Sequence, residues 1–381
     1  MIKLTAAEFA EIVNGELCNL DSNEIIDQTP VINSKEAKAG NFFAAFVGEN
    51  LDGHLYVKDA IGNGAKFALV SKAVTEPSIL VADVGAALLK LTTYVRTHIK
   101  DLKVIGITGS QGKTTTKEYL NSILSLVGET VATQGNFNTD IGVPLTFLRC
   151  TNETKFCIVE MGARHMGDIA KLTIATKPDV GVVLVVGTAH LGEFGSVENI
   201  AKTKGELIKE LTGNAIAVLG NFDQYTPKMA NGLPITKLII GEDVRAADLE
   251  LPGGFAHFDL VTKTGRVPVS LQQLGEHQVP NALAAATAAF ALGVSNEKIA
   301  DGHYKYLKGV HTISLCFCDD ITDKGLKYLK KIHIINLTRC IKITDNGMTY
   351  LKNAQNIDAA DAKDVGLKLR TEIAAALIQV G

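Results

Sequence analysis

Apolar positions along the chain alternate between two periods. Short runs rich in β-branched residues (Val104–Thr108, Phe156–Met161, Val180–Val186, Ala215–Leu219 and Leu238–Ile240) read as buried strands. Between them, apolar residues recur at helical spacing: Val84, Leu88, Leu91, Val95 and Ile99 ahead of the first run, and Tyr119, Leu120, Ile123, Leu124 and Val127 behind it. Strand alternating with helix predicts an α/β unit over residues 83–302, with a mostly parallel sheet covered on both faces. A smaller α/β unit is expected over residues 1–82, with strands at Asn41–Val47 and Ala65–Val70 and helices at Thr5–Val13 and Tyr56–Ile61.

The pattern changes after residue 302. Residues 311–332 and 333–354 align without a gap at a period of 22, pairing His311 with His333, Leu315 with Leu337, Cys318 with Cys340, Asp323 with Asp345 and Gly325 with Gly347. A leucine-bearing strand, a cysteine and then a short helix at this period resemble cysteine-containing leucine-rich repeats, here spanning residues 303–355. Two repeats are fewer than such stacks usually need, so they should lean on the preceding unit or on a partner protein. The tail, residues 356–381, is expected to form one helix from Ala362 to Gln379.

Chemistry concentrates where the strands end. Residues 106–117, GITGSQGKTTTK, make a glycine-punctuated turn between the first long strand and its helix. Such a turn aims backbone N–H groups and a lysine at a polyphosphate, while a hydroxyl meets the accompanying magnesium. The strict nucleotide-loop pattern would place a glycine at 107, where Ile107 stands; glycines fall instead at 106, 109 and 112. The bland alternative is an ordinary strand-to-helix turn with a solvated lysine. Glu160 closes the next strand and His190 lies just past Val180–Val186, both at the edge where ligands of a parallel sheet gather.

The stretch Ser196–Leu211 predicts a helix with Ser196 as N-cap and Glu198 in the first turn. Val197, Ile200, Ala201, Leu207, Ile208 and Leu211 define its inward face, and Lys204 falls on that stripe. An inward lysine loses hydration, so it must pair, lower its pKa or be modified; otherwise its stem lies along the core edge and its ammonium reaches water.

Composition narrows the classes. The chain is 46% hydrophobic and 21% charged with net charge −3, which fits a soluble globular protein and gives no overall basicity for a nucleic acid or an anionic membrane. Tryptophan is absent, which weakens any base-stacking platform. The opening MIKLTAAEFAEIV carries two acidic residues and no long apolar run, so no secretory signal is expected, and Val180–Val186 is too short to span a bilayer. Six cysteines, at 18, 150, 157, 316, 318 and 340, lack the usual metal or redox spacing and read as free thiols in a reducing cytoplasm.

Five segments occur in order: GSQGKTTTK, GNFNTDIGVPLTFLR (135–149), VEMGARHMGDI (159–169), AHLGEFGSVENIAKTKGEL (189–207) and GEHQVPNALAA (275–285). Together they resemble the Mur ligases, on the branch that joins D-alanyl-D-alanine to UDP-N-acetylmuramoyl-tripeptide in peptidoglycan precursor synthesis. Residues 33–71 resemble that branch's UDP-sugar-binding domain. The resemblance covers residues 1–302 and implies ATP-dependent ligation in the cytoplasm through an acyl phosphate, with two magnesium ions. It implies that Lys113 and the N–H groups of Gly109, Ser110, Gln111, Gly112, Thr114 and Thr115 cradle phosphates, and that Thr114, Glu160, His190 and a carbamylated Lys204 hold metal. His277 and Asn281 match the nucleoside contacts, and Ser34, Asn136, Asn138 and Thr139 the substrate contacts. The Mur ligases also carry a third, Rossmann-like domain, which residues 303–381 do not resemble. Half of the ATP cleft is thereby expected to be lost and turnover impaired, with a junction near 302–306. The rival reading is an inactive nucleotide-binding scaffold, or a fusion, that recognises a protein partner through the repeats.

Overall fold

The computed structural model describes residues 1–48, 51–135, 137–189 and 191–305, then 312–314, 323–326, 334–337, 343–352, 354 and 356–358. The tail helix expected from Ala362 to Gln379 lies outside the described residues, as do Cys316, Cys318 and Cys340.

The first β-strand, β1 (Leu4–Thr5), leads into α1 (Ala6–Val13). Thr5 caps this helix and Glu8 answers its backbone N–H at 2.7 Å, so two otherwise unpaired donors are satisfied together. Then follow β2 (Glu16–Cys18), β3 (Ile25–Ile26), β4 (Pro30–Val31), β5 (Phe42–Ala44), α2 (Val57–Gly62), β6 (Phe67–Val70) and β7 (Ser78–Leu80). Five of these strands form one sheet in the order β2-β7-β6-β5-β4, and β1 pairs with β3. Phe9, Phe42 and Phe67, all fully buried, meet with ring centroids 5.2–5.4 Å apart and pin α1 onto the sheet. The expected strands and helices appear here, each a few residues shorter or shifted.

The helix α3 (Val84–His98) starts at Asp83, whose carboxylate accepts the Ala86 N–H at 2.7 Å. Its predicted stripe of Val84, Leu88, Leu91, Val95 and Ile99 is buried throughout. Next come β8 (Lys103–Thr108), α4 (Lys113–Leu124), β9 (Thr130–Ala132), α5 (Gly142–Phe147), β10 (Phe156–Glu160), α6 (Asp168–Thr176), β11 (Val180–Val183), α7 (Leu191–Phe194), α8 (Val197–Lys209), β12 (Ile216–Leu219) and β13 (Thr236–Ile239). The six strands form one parallel sheet in the order β13-β12-β11-β8-β10-β9. The apolar runs are near-continuous because both faces are covered. Val127 falls beyond the end of α4, which stops at Leu124.

The order has a consequence for ligands. From β8 the chain crosses to β9 at the sheet edge, returns inward to lay β10 beside β8, and then places β11 on the other side of β8. The carboxyl end of β8 is thus a switch point, where a crevice opens between diverging connections. In register, Glu160 of β10 stands beside Ile107, and Val183 of β11 beside Thr108.

This sheet, the amino-terminal elements, Val261–Arg266 and Pro280–Ile299 form one compact unit. A second unit takes Ala247–Leu260, Val267–Val279 and the described residues from Ala300 onward. β14 (Arg245–Glu250), β15 (Phe255–Thr262) and β16 (Gly265–Leu274) make a three-stranded sheet, and Ala256, Phe258, Leu260 and Thr262 bury one face of β15 at period two. The helices α9 (Gln278–Ala291) and α10 (Asn296–Lys305) follow.

Past them lie β17 (Thr312–Ser314), α11 (Asp323–Leu326), β18 (Ile334–Asn336), α12 (Asp345–Met348) and β19 (Asn356–Asp358). The three strands pair in parallel, each residue facing the one 22 positions on: Thr312 with Ile334, and Ile334 with Asn356. The Asp323 carboxylate accepts the Thr344 N–H at 2.8 Å and its hydroxyl at 2.6 Å. A Cβ at Gly347 would lie 2.3 Å from Asp323 Oδ1, so this approach admits only glycine.

Candidate functional site

The turn after β8 is shaped by Gly112, the N-cap of α4, at φ 83°. A side chain there would be strained, and its Cβ would fall 2.4 Å from Asn281 Oδ1. Asn281 therefore packs directly against the loop. Ser110 ties the loop to the exit of β11: its N–H donates to the Val185 carbonyl at 2.9 Å, and its hydroxyl accepts the Gly187 N–H at 2.8 Å. Asp223 braces the same exit by accepting the Val186 N–H at 2.9 Å.

Lys113 opens α4, and its Nζ donates to the Gly109 carbonyl at 2.8 Å. Burial lowers its pKa, and the neighbouring Glu160 carboxylate works against that shift. Glu160 is buried, with both oxygens held: Thr114 Oγ1 donates to Oε2 at 3.1 Å and Asn138 Nδ2 donates to Oε1 at 3.0 Å. Its own N–H donates to Thr133 Oγ1 at 3.0 Å. Asn138, expected on the substrate side, thus sits on the carboxylate, and its carbonyl accepts the Gly162 N–H at 2.7 Å.

Ser196 caps α8 as its sequence implies, accepting the Asn199 N–H at 3.2 Å. Lys202 and Lys209 are exposed, whereas Lys204 is partly buried on the inward face. Its pKa is lowered to about 8, first by burial and then by the positive charge of Lys113. The structure therefore brings the loop lysine, the Thr114–Glu160 pair and the inward amine into one electrostatic neighbourhood. Two residues on, Glu206 reaches the start of α6 and accepts the N–H groups of Gly167 at 2.6 Å and Ala170 at 3.0 Å.

The remaining expected site residues make contacts of their own. Ser34 makes its contacts within the amino-terminal sheet region, where its carbonyl accepts Asn63 Nδ2 at 3.1 Å. The Thr139 carbonyl accepts the Val143 N–H at 2.9 Å as the chain enters α5. His277 lies 3.1 Å from Gln278 Nε2 and folds back over Gly275. Gln111 and Thr114 are exposed, and Thr115 is partly so. His190 and Asn136 lie outside the described residues.

Sequence reasoning missed Lys117, which is 1% exposed although it belongs to the quoted loop motif. The signal was present: Lys117 shares a helical stripe with Leu120 and Leu124. It also missed the brace from Glu206.

Among the described residues, no three His, Cys, Asp or Glu side chains gather into a metal cluster. The donors on hand are the Glu160 carboxylate and the Thr114 hydroxyl, 3.1 Å apart. Two hard oxygens beside a phosphate loop fit a magnesium ion, which Thr114 and Glu160 would help to hold and which would draw its other ligands from phosphates and water. Among the described residues, no helix is long and apolar enough to cross a membrane.

A glycine turn and lysine at the switch point of a parallel sheet, backed by a hydroxyl–carboxylate pair, define an α/β nucleotide-binding site of the phosphate-loop class. Residues 107–289 match the family model for the Mur ligase middle domain. The UDP-N-acetylmuramoyl-tripeptide--D-alanyl-D-alanine ligase of Escherichia coli K12 is 34% identical over 320 residues, covering 79% of this chain and 68% of the relative. The ligase of the same name from Mycobacterium tuberculosis H37Rv is 36% identical over 336 residues, covering 79% of this chain and 65% of the relative. A crystal structure of MurF from Acinetobacter baumannii superposes with a TM-score of 0.74 at 28% identity, covering 99% of this chain and 93% of that one. The chain belongs to the Mur ligase family. It spans 65% of the length of its mycobacterial relative.

Proposed function

We propose that this chain is an ATP-dependent ligase of peptidoglycan precursor synthesis, joining D-alanyl-D-alanine to UDP-N-acetylmuramoyl-tripeptide in the cytoplasm. The observation that carries the reading is the shared neighbourhood of Lys113, the Thr114–Glu160 pair and the low-pKa amine of Lys204. ATP and a carboxylate repel each other, so cations and positioning must dominate the reaction. Transfer of the γ-phosphoryl group to the tripeptide carboxylate forms an acyl phosphate and releases ADP. The amine of D-alanyl-D-alanine then attacks that carbonyl, loses a proton and expels phosphate.

Lys113 and the loop N–H groups are proposed to hold the phosphates, and Thr114, Glu160, His190 and Lys204 the magnesium. With a pKa of about 8, roughly a quarter of Lys204 amines are neutral at about pH 7.5, against about 0.1% for an ordinary lysine. A neutral amine adds to CO2 and releases a proton, which yields a carbamate. That converts an inward cation into an oxygen donor and removes its repulsion from Lys113. Residues 1–82 are assigned to UDP-sugar binding with Ser34, residues 83–302 to ATP binding with His277 and Asn281 on the nucleoside, and Asn136, Asn138 and Thr139 to the peptide end.

The parallel strands Thr312–Ser314, Ile334–Asn336 and Asn356–Asp358, 22 positions apart, support a leucine-rich-repeat-like segment over residues 303–355, and the rival proposal is that this segment docks a protein. On that reading the chain binds nucleotide and ligates only slowly, or serves as a scaffold. Calorimetry with ADP and magnesium, beside phosphate release with both substrates, separates the cases. Lys113→Ala should abolish nucleotide binding. Unchanged affinity in that variant would remove the site assignment.

A further inference from the structure

Lys117 stands one helical turn beyond Lys113 on α4, and its side chain is among the largest that the fold buries completely. Its Nζ donates to the Thr133 carbonyl at 2.7 Å and lies 2.8 Å from Glu118 Oε1, a carboxylate at the solvent boundary. Taking an ammonium out of water costs several kcal/mol, and an apolar residue of similar volume is often the more stable choice. Stability alone therefore does not explain a lysine here.

What the lysine grips does. Thr133 follows β9, and its hydroxyl accepts the Glu160 N–H at 3.0 Å. Its own N–H donates to the Ile158 carbonyl at 3.0 Å, which fixes it against β10. Five residues on, Asn138 donates to Glu160 Oε1 and its carbonyl accepts the Gly162 N–H. A Cβ at Gly142 would meet the Phe137 backbone at 2.2 Å, so the chain passes close against itself between these two residues. From the other side, Thr114 of α4 holds Glu160 Oε2. Glu160 is thus clamped between α4 and the loop after β9, and Lys117 is the side chain that joins those two supports.

We propose that Lys117 is a positioning residue for the ligase site. Through the Thr133 carbonyl it sets the spacing between the phosphate-loop helix and the loop that holds Glu160, and hence where the metal-binding carboxylate stands relative to the phosphates. The inference rests on the assignment of Glu160 to magnesium under the proposed function. It predicts a loss confined to the metal-dependent part of nucleotide binding.

The test is calorimetric titration of the full chain with ADP, once with excess magnesium and once with EDTA. Lys117→Met keeps the volume and removes the donor; Thr133→Val keeps the carbonyl and removes the hydroxyl that meets the Glu160 N–H. Both variants should bind ADP in EDTA within about twofold of the wild type, and the gain in affinity on adding magnesium should fall by roughly tenfold, the usual effect of losing a support behind a metal ligand. An undiminished magnesium gain in Lys117→Met overturns the proposal. So do equal losses in the two buffers, which would mark general loosening of the fold. If Lys117→Met does not fold, Lys117→Leu, which also removes the donor to the Thr133 carbonyl, carries the same readout. A wild-type chain that binds no ADP in either buffer would instead fail the proposed function itself, and this inference with it.

Discussion

Replacing Lys204 by methionine should stabilise the protein near neutral pH, and the gain should vanish in alkali. The folded-state pKa of about 8 lies below the ordinary 10.5. Between those values the unfolded chain holds a proton that the folded chain has released, so stability rises with pH by up to about 1.4 kcal/mol per unit. The contribution is complete above 10.5 and is lost as the pH falls through 8. Its full span is about 3 kcal/mol, discounted to about 2 because the side chain is only partly buried. At pH near 7 the wild type bears that whole penalty, which a methionine of similar length does not. Urea unfolding midpoints of both proteins, taken at intervals between about pH 7 and 10 in bicarbonate-free buffer, should converge as the pH rises. Added bicarbonate at pH near 8 should then raise the midpoint of the wild type alone. A difference independent of pH, or a variant less stable at every pH, would refute the argument that burial and Lys113 disfavour the charged form of this amine.

Two further substitutions probe the supports of the site. Gly112→Ala places a Cβ 2.4 Å from Asn281 Oδ1 at a left-handed φ, so ADP affinity measured by calorimetry should drop at least roughly tenfold, with about 1–3 kcal/mol lost from the fold. Glu206→Gln keeps the shape but removes the charge at the start of α6; it should cost about 1 kcal/mol in thermal or urea unfolding and leave magnesium dependence unchanged.

What could be read from the chain without coordinates was whatever depends on near neighbours. The stripe of α3, the Ser196 cap and the inward side of Lys204 each follow from spacing within a few turns, and all three stand as expected. Strand positions were legible because runs buried on both faces leave little ambiguity, though the final residues of β11 shifted by three, from Val186 to Val183. The order of the strands was not legible. Nothing in the residues of β8 says that β10 and β11 will flank it. Partnerships across crossovers were equally hidden: Asn138 with Glu160, Lys117 with Thr133 and Glu206 with Gly167 join residues far apart along the chain. The 22-residue period announced the strand spacing of the last sheet, but not that Asp323 would receive both donors of Thr344.

The bond from Thr114 to Glu160 also fixes the orientation of a single proton. Because the hydroxyl spends its hydrogen on the carboxylate, only its lone pairs remain for a further partner. Glu160 gains a neutral companion that leaves its charge intact, and under the proposed function a cation would meet both oxygens as a pair. Little rotational freedom remains to be surrendered when the ion settles, so selectivity at this corner is set by how the fold is wired before the nucleotide arrives.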